Sequence, residues 1–132
     1  MRVLIADDNQ DAADTLAMVL RIWGHEVRVV YDGPSALLTV RNFRPHAVLL
    51  DIQMPRVNGG EVALNLRRQS GCEETLIVAT SASDPDDPRL ARYEGAFDAF
   101  LNKPCDLEKL AELLAYGHAH ATIRREPMYA SR

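Results

Sequence analysis

Five side chains with complementary chemistry stand directly after short apolar runs of the sequence. Asp7 and Asp8 follow the first run, Asp51 follows the third, Ser81 lies after the fourth and Lys103 after the fifth. Three carboxylates placed close together would repel one another, and a divalent cation removes that repulsion. A carboxylate beside a cation, an ammonium group and a hydroxyl can accept a phosphoryl group as a nucleophile. The residue types therefore indicate phosphoryl chemistry, provided that the fold brings these distant positions together.

The apolar runs have the length and composition of β-strands, and the segments between them have helical periodicity. In the first of these segments Leu16 and Leu20 share one face, and Gly24 ends the helix. Pro34 suits the first turn of a second helix, in which we expect Leu38 to face inward. The predicted strands are residues 3–6, 27–30, 47–50, 76–79 and 99–101, and the next two helices are residues 60–69 and 87–94.

The last predicted helix lies near the end of the sequence. It opens at Asp106, a good N-cap, and we expect Leu107 to face inward with the leucines that follow it at helical spacing. From about Gly117 onward the periodicity is lost. We therefore expect one domain over residues 1–118 and a tail over residues 119–132.

The alternation of five strands with five helices predicts a parallel sheet that is covered on both faces. Right-handed crossovers place the carboxyl ends of all the strands on one edge, where such sheets bind their ligands. The polar residues that follow the strands would then converge on that edge.

The composition is that of one globular domain of 132 residues. Hydrophobic residues make up 47% and charged residues 26%, which excludes a collagenous or disordered chain. A net charge of −4 excludes a uniformly basic surface. Cys72 and Cys105 are too few for a disulfide framework or a tetrahedral zinc site. No apolar stretch approaches the ~20 residues of a membrane helix. We expect a cytoplasmic protein without a signal peptide.

Four motifs, taken in order, resemble the receiver domain of two-component response regulators. They are Asp7-Asp8, residues 51–59, Thr80-Ser81-Ala82 and residues 100–104. Any one of them is weak, but the ordered set is highly specific and spans about residues 2–116. The resemblance implies an α/β, flavodoxin-like doubly wound fold, with a five-stranded parallel sheet of order 2-1-3-4-5 and five flanking helices.

The resemblance implies an acceptor and a metal site. Asp51 would be the phosphoacceptor, and Lys103 would pair first with Asp51 and then with the phosphoryl oxygens. Asp8 would bind Mg²⁺, or another divalent cation such as Mn²⁺, directly and Asp7 mainly through water. Asp51 itself and the backbone carbonyl of Gln53 would complete the protein ligands.

The resemblance also implies a switch. The Ser81 hydroxyl would report phosphorylation, and Phe100 would be the aromatic side chain coupled to it. Pro55 and Gly59 would shape the loop after the acceptor, and Pro104 would follow a cis peptide bond.

Several positions depart from the commoner pattern of the family. Ser81 stands where Thr is frequent, Phe100 where Tyr is frequent, Asn58 where Asp is frequent, and Cys105 where a bulky apolar residue is usual. The segment from residue 81 to residue 95 is about one residue short. None of these positions bears on the acceptor chemistry, but they bear on the output surface.

The resemblance implies a signalling switch rather than a metabolic enzyme. Its partners would be a sensor histidine kinase or a histidine phosphotransfer protein and a downstream protein target, with no direct contact to nucleic acid or membrane. The chain would catalyse only its own phosphorylation and slow dephosphorylation. A rival reading is an aspartyl-nucleophile phosphatase or phosphotransferase acting on small substrates, which would want an Asp-x-Asp pair after the first strand. A flavin protein would want a phosphate-binding loop there, and residues 8–11 are too acidic for one.

Overall fold

Short strands alternate with helices along the chain, as the sequence predicts. The computed structural model describes residues 1–54, 58–69, 71–82, 93, 95–119 and 128–129. The strands are β1 (Arg2–Ala6), β2 (Glu26–Val30), β3 (Ala47–Asp51), β4 (Leu76–Ser81), β5 (Ala99–Asn102) and β6 (Met128–Tyr129). The helices are α1 (Gln10–Ile22), α2 (Gly33–Phe43), α3 (Gly59–Arg68) and α4 (Leu107–Ala119).

The strands form one parallel sheet in the order β2-β1-β3-β4-β5-β6. Its first five strands confirm the predicted order 2-1-3-4-5. The two-residue β6 was not predicted, because two residues are too few to produce an alternating pattern. The helix predicted at residues 87–94 falls almost wholly outside the described residues, so the last helix is α4 here.

Short polar side chains fix where the helices begin. Asn9, Asp32 and Asn58 each accept a hydrogen bond from the backbone N–H three residues later. Asp106 accepts hydrogen bonds from the N–H groups of the first turn of α4. These caps satisfy N–H groups that have no partner within the helix. Asn58, which departs from the family pattern, therefore caps the start of α3.

The two faces of the sheet carry separate apolar clusters. One lies under α2 and α3, and the other lies under α1 and α4. The prediction that Leu38 and Leu107 face inward is wrong, since these side chains are 63% and 42% exposed. In α2 the buried positions are Ala36, Val40 and Phe43, which leaves Leu38 on the outer side. Leu107 is the first residue of α4, and the buried leucines of this helix begin one turn later.

An ion pair at the opposite edge of the sheet fixes the start of β5. The Arg67 Nη2 atom lies 2.6 Å from Asp98 Oδ2, and Asp98 also accepts a hydrogen bond from the Ile77 N–H. Arg67 donates further to the carbonyls of Ala96 and Thr75. These bonds tie α3, β4 and β5 together and so help to position the other end of β5.

Within the part of the chain that the structure describes, no helix is both long and apolar enough to cross a membrane.

Candidate functional site

The register of the sheet brings the predicted site residues together. Ala6 pairs with Leu50, so the residues that follow, Asp7 and Asp51, lie side by side at the end of neighbouring strands. Lys103 follows β5 at the same edge, and its backbone N–H donates to the carbonyl of Ser81 at 2.8 Å. We call Asp7, Asp8, Asp51 and Lys103 the acidic site.

Asp51 is the most buried carboxylate of the acidic site, with 3% of its surface exposed. One carboxylate oxygen, Oδ1, accepts the Gln53 N–H at 2.9 Å. The other, Oδ2, lies 3.3 Å from Lys103 Nζ. The carboxylate is thus oriented on both sides at the edge of the sheet, which is what a nucleophile requires.

Asp7 and Asp8 complete a group of carboxylates that could share one cation. An oxygen atom from each of Asp7, Asp8 and Asp51 lies within 4.8 Å of the others. Asp7 is buried and accepts the Asn9 N–H at 2.9 Å, whereas Asp8 is exposed. Oxygen ligands in a small, partly open cluster are the ligands that Mg²⁺ prefers. The residues present therefore fit a magnesium ion.

Lys103 contacts both buried carboxylates. Its Nζ atom lies 2.7 Å from Asp7 Oδ2, closer than it does to Asp51. Burial alone would lower the pKa of Lys103, but the hydrogen bond to Asp7 and the negative charge of Asp51 outweigh burial, and the pKa is raised. The side chain therefore stays a cation, suited to an incoming phosphoryl group.

Burial raises the pKa of Asp51 to about 6. The Gln53 N–H and the charge of Lys103 act in the opposite direction, and the charge of Asp7 adds to the increase. The folded protein thus holds its charged Asp51 at a cost in free energy, which a cation at the acidic site would reduce.

Asp51→Asn is therefore expected to stabilise the protein near neutral pH without divalent cations, by about 3 kcal/mol. Asp51 binds its proton more tightly in the folded than in the unfolded state. Protonation of Asp51 therefore adds to the free energy of unfolding. This contribution is fully present below about pH 4 and is lost as the pH rises through about 6. The difference in free energy of unfolding between Asp51→Asn and the wild type should be largest above about pH 6 and should decrease toward pH 4. Urea unfolding of both proteins across this range measures it, with the exposed Glu112→Gln as control. A difference that does not vary with pH would contradict the reasoning.

The predicted switch residues lie on one face of neighbouring strands. Ser81 is fully buried at the end of β4, and Phe100, in β5, is 4% exposed within the apolar cluster under α2 and α3. Ser81 pairs with Asn102, two residues beyond Phe100. The ring of Phe100 is therefore already buried.

The loop after Asp51 is described in part. Gly59 is buried against the carbonyl of Asp51, where a Cβ atom would lie only 2.4 Å from that oxygen. The structure thus gives a physical reason for glycine at this position. Gln53 is exposed beside the site, Pro55 lies outside the described residues, and the Lys103–Pro104 peptide bond is cis.

Two features of the site were not found from the sequence. A groove of about 640 Å³ opens beside Asp7 and Lys103, with a largely apolar lining from β1, α1, β3, residues 103–105 and the first residue of α4. Tyr93 packs on the first turn of α3 and donates a hydrogen bond to Glu61. A Tyr in a segment without clear periodicity gives no signal that it is buried.

The fold is that of a flavodoxin-like domain. At the carboxyl ends of its strands, the acidic site holds a cluster of carboxylates that could bind a divalent cation. The family model described as the response regulator receiver domain matches residues 3–115. The chain belongs to this family. It is a receiver domain, the part of a response regulator that acts in two-component signalling.

Curated relatives agree with this assignment. The DNA-binding response regulator MtrA of Mycolicibacterium paratuberculosis is 38% identical over 124 residues, which cover 94% of this chain and 52% of that protein. Response regulator MprA of Mycobacterium sp. strain KMS is 36% identical over 110 residues, 83% of this chain and 47% of that protein. The chain spans about half the length of the curated relatives it matches.

Solved structures show the same fold. Chemotaxis response regulator CheY4 of Vibrio cholerae matches with a TM-score of 0.77 and 26% identity, over 88% of this chain and 97% of that chain. Response regulator TrrA of Thermotoga maritima, solved in complex with Mg²⁺ and beryllium fluoride, matches with a TM-score of 0.76 and 25% identity, over 88% and 97%.

Proposed function

We propose that this chain accepts a phosphoryl group on Asp51 from a phosphohistidine of a sensor kinase or phosphotransfer protein. The observation that carries the proposal is the buried Asp51 carboxylate, which is oriented by Gln53 and lies 3.3 Å from the Lys103 ammonium, beside Asp7 and Asp8. The phosphorylated chain would then change its contacts with a downstream protein.

In the proposed transfer, an Asp51 carboxylate oxygen forms a bond to phosphorus while the bond between phosphorus and the donor imidazole nitrogen breaks. The nitrogen keeps the electron pair and takes up a proton. Lys103 offsets the negative charge of the phosphoryl oxygens, and its position between Asp7 and Asp51 places it beside the reacting carboxylate. The chain would catalyse this step and the slow hydrolysis of the product, without turning over a metabolic substrate.

The metal that this site would hold is Mg²⁺ or a similar divalent cation. Asp8 and Asp51 would be direct ligands, the backbone carbonyl of Gln53 would be the third protein contact, and Asp7 would act mainly through water. When bound, the cation would reduce the repulsion between the carboxylates and the anionic donor.

We also propose where the domain ends and which kind of partner the chain contacts. We propose a receiver domain over residues 1–118 followed by a tail over residues 119–132, in a cytoplasmic protein. The relative named above is a DNA-binding response regulator as a whole. For this chain, direct contact with protein partners and not with nucleic acid remains our prediction.

One experiment separates this function from that of a phosphatase acting on small substrates. The protein is incubated with Mg²⁺ and acetyl phosphate, and both the phosphorylated chain and the released phosphate are followed. A receiver accumulates about one phosphoryl group per chain and releases phosphate slowly. Rapid, continuous phosphate release with little phosphorylated chain would support the phosphatase instead.

The lifetime of the phosphorylated chain is expected to depend on Gln53 and Ser83. In the family these positions border the path of the attacking water, and the exposed Gln53 side chain is long enough to shield or orient it. Gln53→Ala and Ser83→Ala should each change the dephosphorylation rate a few-fold more than the phosphorylation rate. Ser83 lies outside the described residues, so its expectation rests on the family alone.

The measurement is the decay of the phosphorylated protein after the donor is removed, with the exposed Gln10→Ala as control. If both variants lose the phosphoryl group at the rate of the wild type, the expectation is wrong.

A further inference from the structure

Two consecutive glycines at the start of α3 lie between Asp51 and Tyr93. A Cβ atom on Gly59 would lie 2.4 Å from the Asp51 carbonyl oxygen and 2.6 Å from the Ile52 Cα atom. A Cβ atom on Gly60 would lie 2.3 Å from the ring of Tyr93. The first turn of α3 therefore packs against the backbone of Asp51 on one side and against the phenol ring on the other.

Hydrogen bonds run along the same path. The Gln53 N–H donates to Asp51 Oδ1 at 2.9 Å, and the Gly59 N–H donates to the Ile52 carbonyl at 3.2 Å. At the far end, the Tyr93 hydroxyl donates to Glu61 Oε1 at 3.1 Å. Tyr93 is only 7% exposed. A change at the Asp51 carboxylate can therefore reach Tyr93 through directly packed backbone.

We propose that Tyr93 is a positioning residue, whose hydrogen bond to Glu61 holds the first turn of α3 in its unphosphorylated position and weakens when Asp51 is phosphorylated. This inference rests on the proposed function. An acyl phosphate carries less negative charge on its carboxyl oxygens than a carboxylate, so the bond from the Gln53 N–H weakens and the backbone before Gly59 shifts. Phe100 lies in the same apolar cluster as Tyr93 but carries no hydroxyl. Tyr93 carries a hydroxyl, which donates to Glu61.

The proposal predicts that loss of the hydrogen bond between Tyr93 and Glu61 raises the affinity for a mimic of the phosphoryl group. If the bond between Tyr93 and Glu61 favours the unphosphorylated state, its removal must favour the other state, because the coupling is reciprocal. Tyr93→Phe keeps the ring on Gly60 and removes only the hydroxyl. This variant should bind Mg²⁺ and beryllium fluoride, a mimic of the phosphoryl group, about threefold to tenfold more tightly than the wild type.

Tyr31→Phe is the matched control. Tyr31 also donates its hydroxyl to a carboxylate, that of Asp14 at 2.7 Å, but its contact is between α1 and the end of β2. Removal of this hydroxyl should leave the affinity for beryllium fluoride unchanged. Glu61→Ala should raise the affinity as Tyr93→Phe does, and the two changes together should have no larger effect than either alone.

The test is fluorine NMR of protein labelled with 3-fluorotyrosine. The chain has four tyrosines, and the signal missing from Tyr93→Phe identifies that residue. The same spectrum shows the fluorines of bound beryllium fluoride. We expect the Tyr93 signal to shift on binding, together with the gain in affinity of Tyr93→Phe. Bound beryllium fluoride with an unmoved Tyr93 signal and equal affinities would overturn the inference and leave the proposed function intact. If no fluoride signal shows binding, and Asp51→Asn behaves like the wild type, both are wrong.

Discussion

Removal of divalent cations is expected to slow phosphoryl transfer to this protein by about a hundredfold or more, because a cation contributes several kcal/mol where charges of one sign meet. One oxygen atom from each of Asp7, Asp8 and Asp51 lies within 4.8 Å of the others, and in the described part of the chain Lys103 contacts the two buried carboxylates. An anionic donor that approaches Asp51 therefore meets net negative charge. Phosphorylation with acetyl phosphate is followed by phosphate-affinity electrophoresis, with Mg²⁺ or with a chelator.

Asp8→Asn tests the same point within the protein. It removes one exposed carboxylate of the cluster, so more Mg²⁺ should be required to reach the same rate. Asp11→Asn is the control, since Asp11 is an exposed acid of the first turn of α1 outside the cluster. Equal phosphorylation with Mg²⁺ and with chelator would show that the cluster does not act through a cation.

Ser81→Ala is expected to be phosphorylated but to lose much of the structural response. Asp51, Lys103 and the carboxylates all remain in this variant. New phosphoryl oxygens require hydrogen-bond donors, and the buried Ser81 hydroxyl lies at the end of the strand next to Asp51. Its movement toward Asp51 would open space for Phe100. Because that ring is already buried and has no hydroxyl, we also expect a smaller response than in relatives with Tyr, and measurable basal activity.

The response is measured by amide NMR with and without beryllium fluoride. In the wild type, shifts should extend from Ser81 to β5 and α4, and to the segment at residues 87–94. In Ser81→Ala they should be confined to the acidic site. Ser35→Ala, at the start of α2 and remote from β5, should respond like the wild type. Identical shift patterns in wild type and Ser81→Ala would show that Ser81 does not transmit the signal.

The sheet could be predicted because each strand is a short apolar run that ends in a polar residue. The runs before Asp7 and Asp51 are buried almost throughout, which is typical of strands in a parallel sheet that is covered by helices on both faces. Once the strands are parallel, their carboxyl ends must share an edge. The proximity of Asp7, Asp51 and Lys103 follows from this topology, although the residues are distant in sequence.

Other features depend on tertiary contacts that leave no pattern in the sequence. Leu38 and Leu107 are apolar, yet they lie outside because neighbouring positions already cover the sheet. The β6 strand has only two residues. The burial of Tyr93 depends on Gly60, which leaves room for its ring. A glycine in a sequence shows that space is available, but not which side chain fills it.

The most direct test of the central claim is the intact mass of the protein after incubation with Mg²⁺ and a small phosphodonor. We predict that the wild type gains the mass of one phosphoryl group only when both are present, and that Asp51→Asn gains none. An equal gain in mass by wild type and Asp51→Asn would contradict the assignment of Asp51 as the phosphoacceptor.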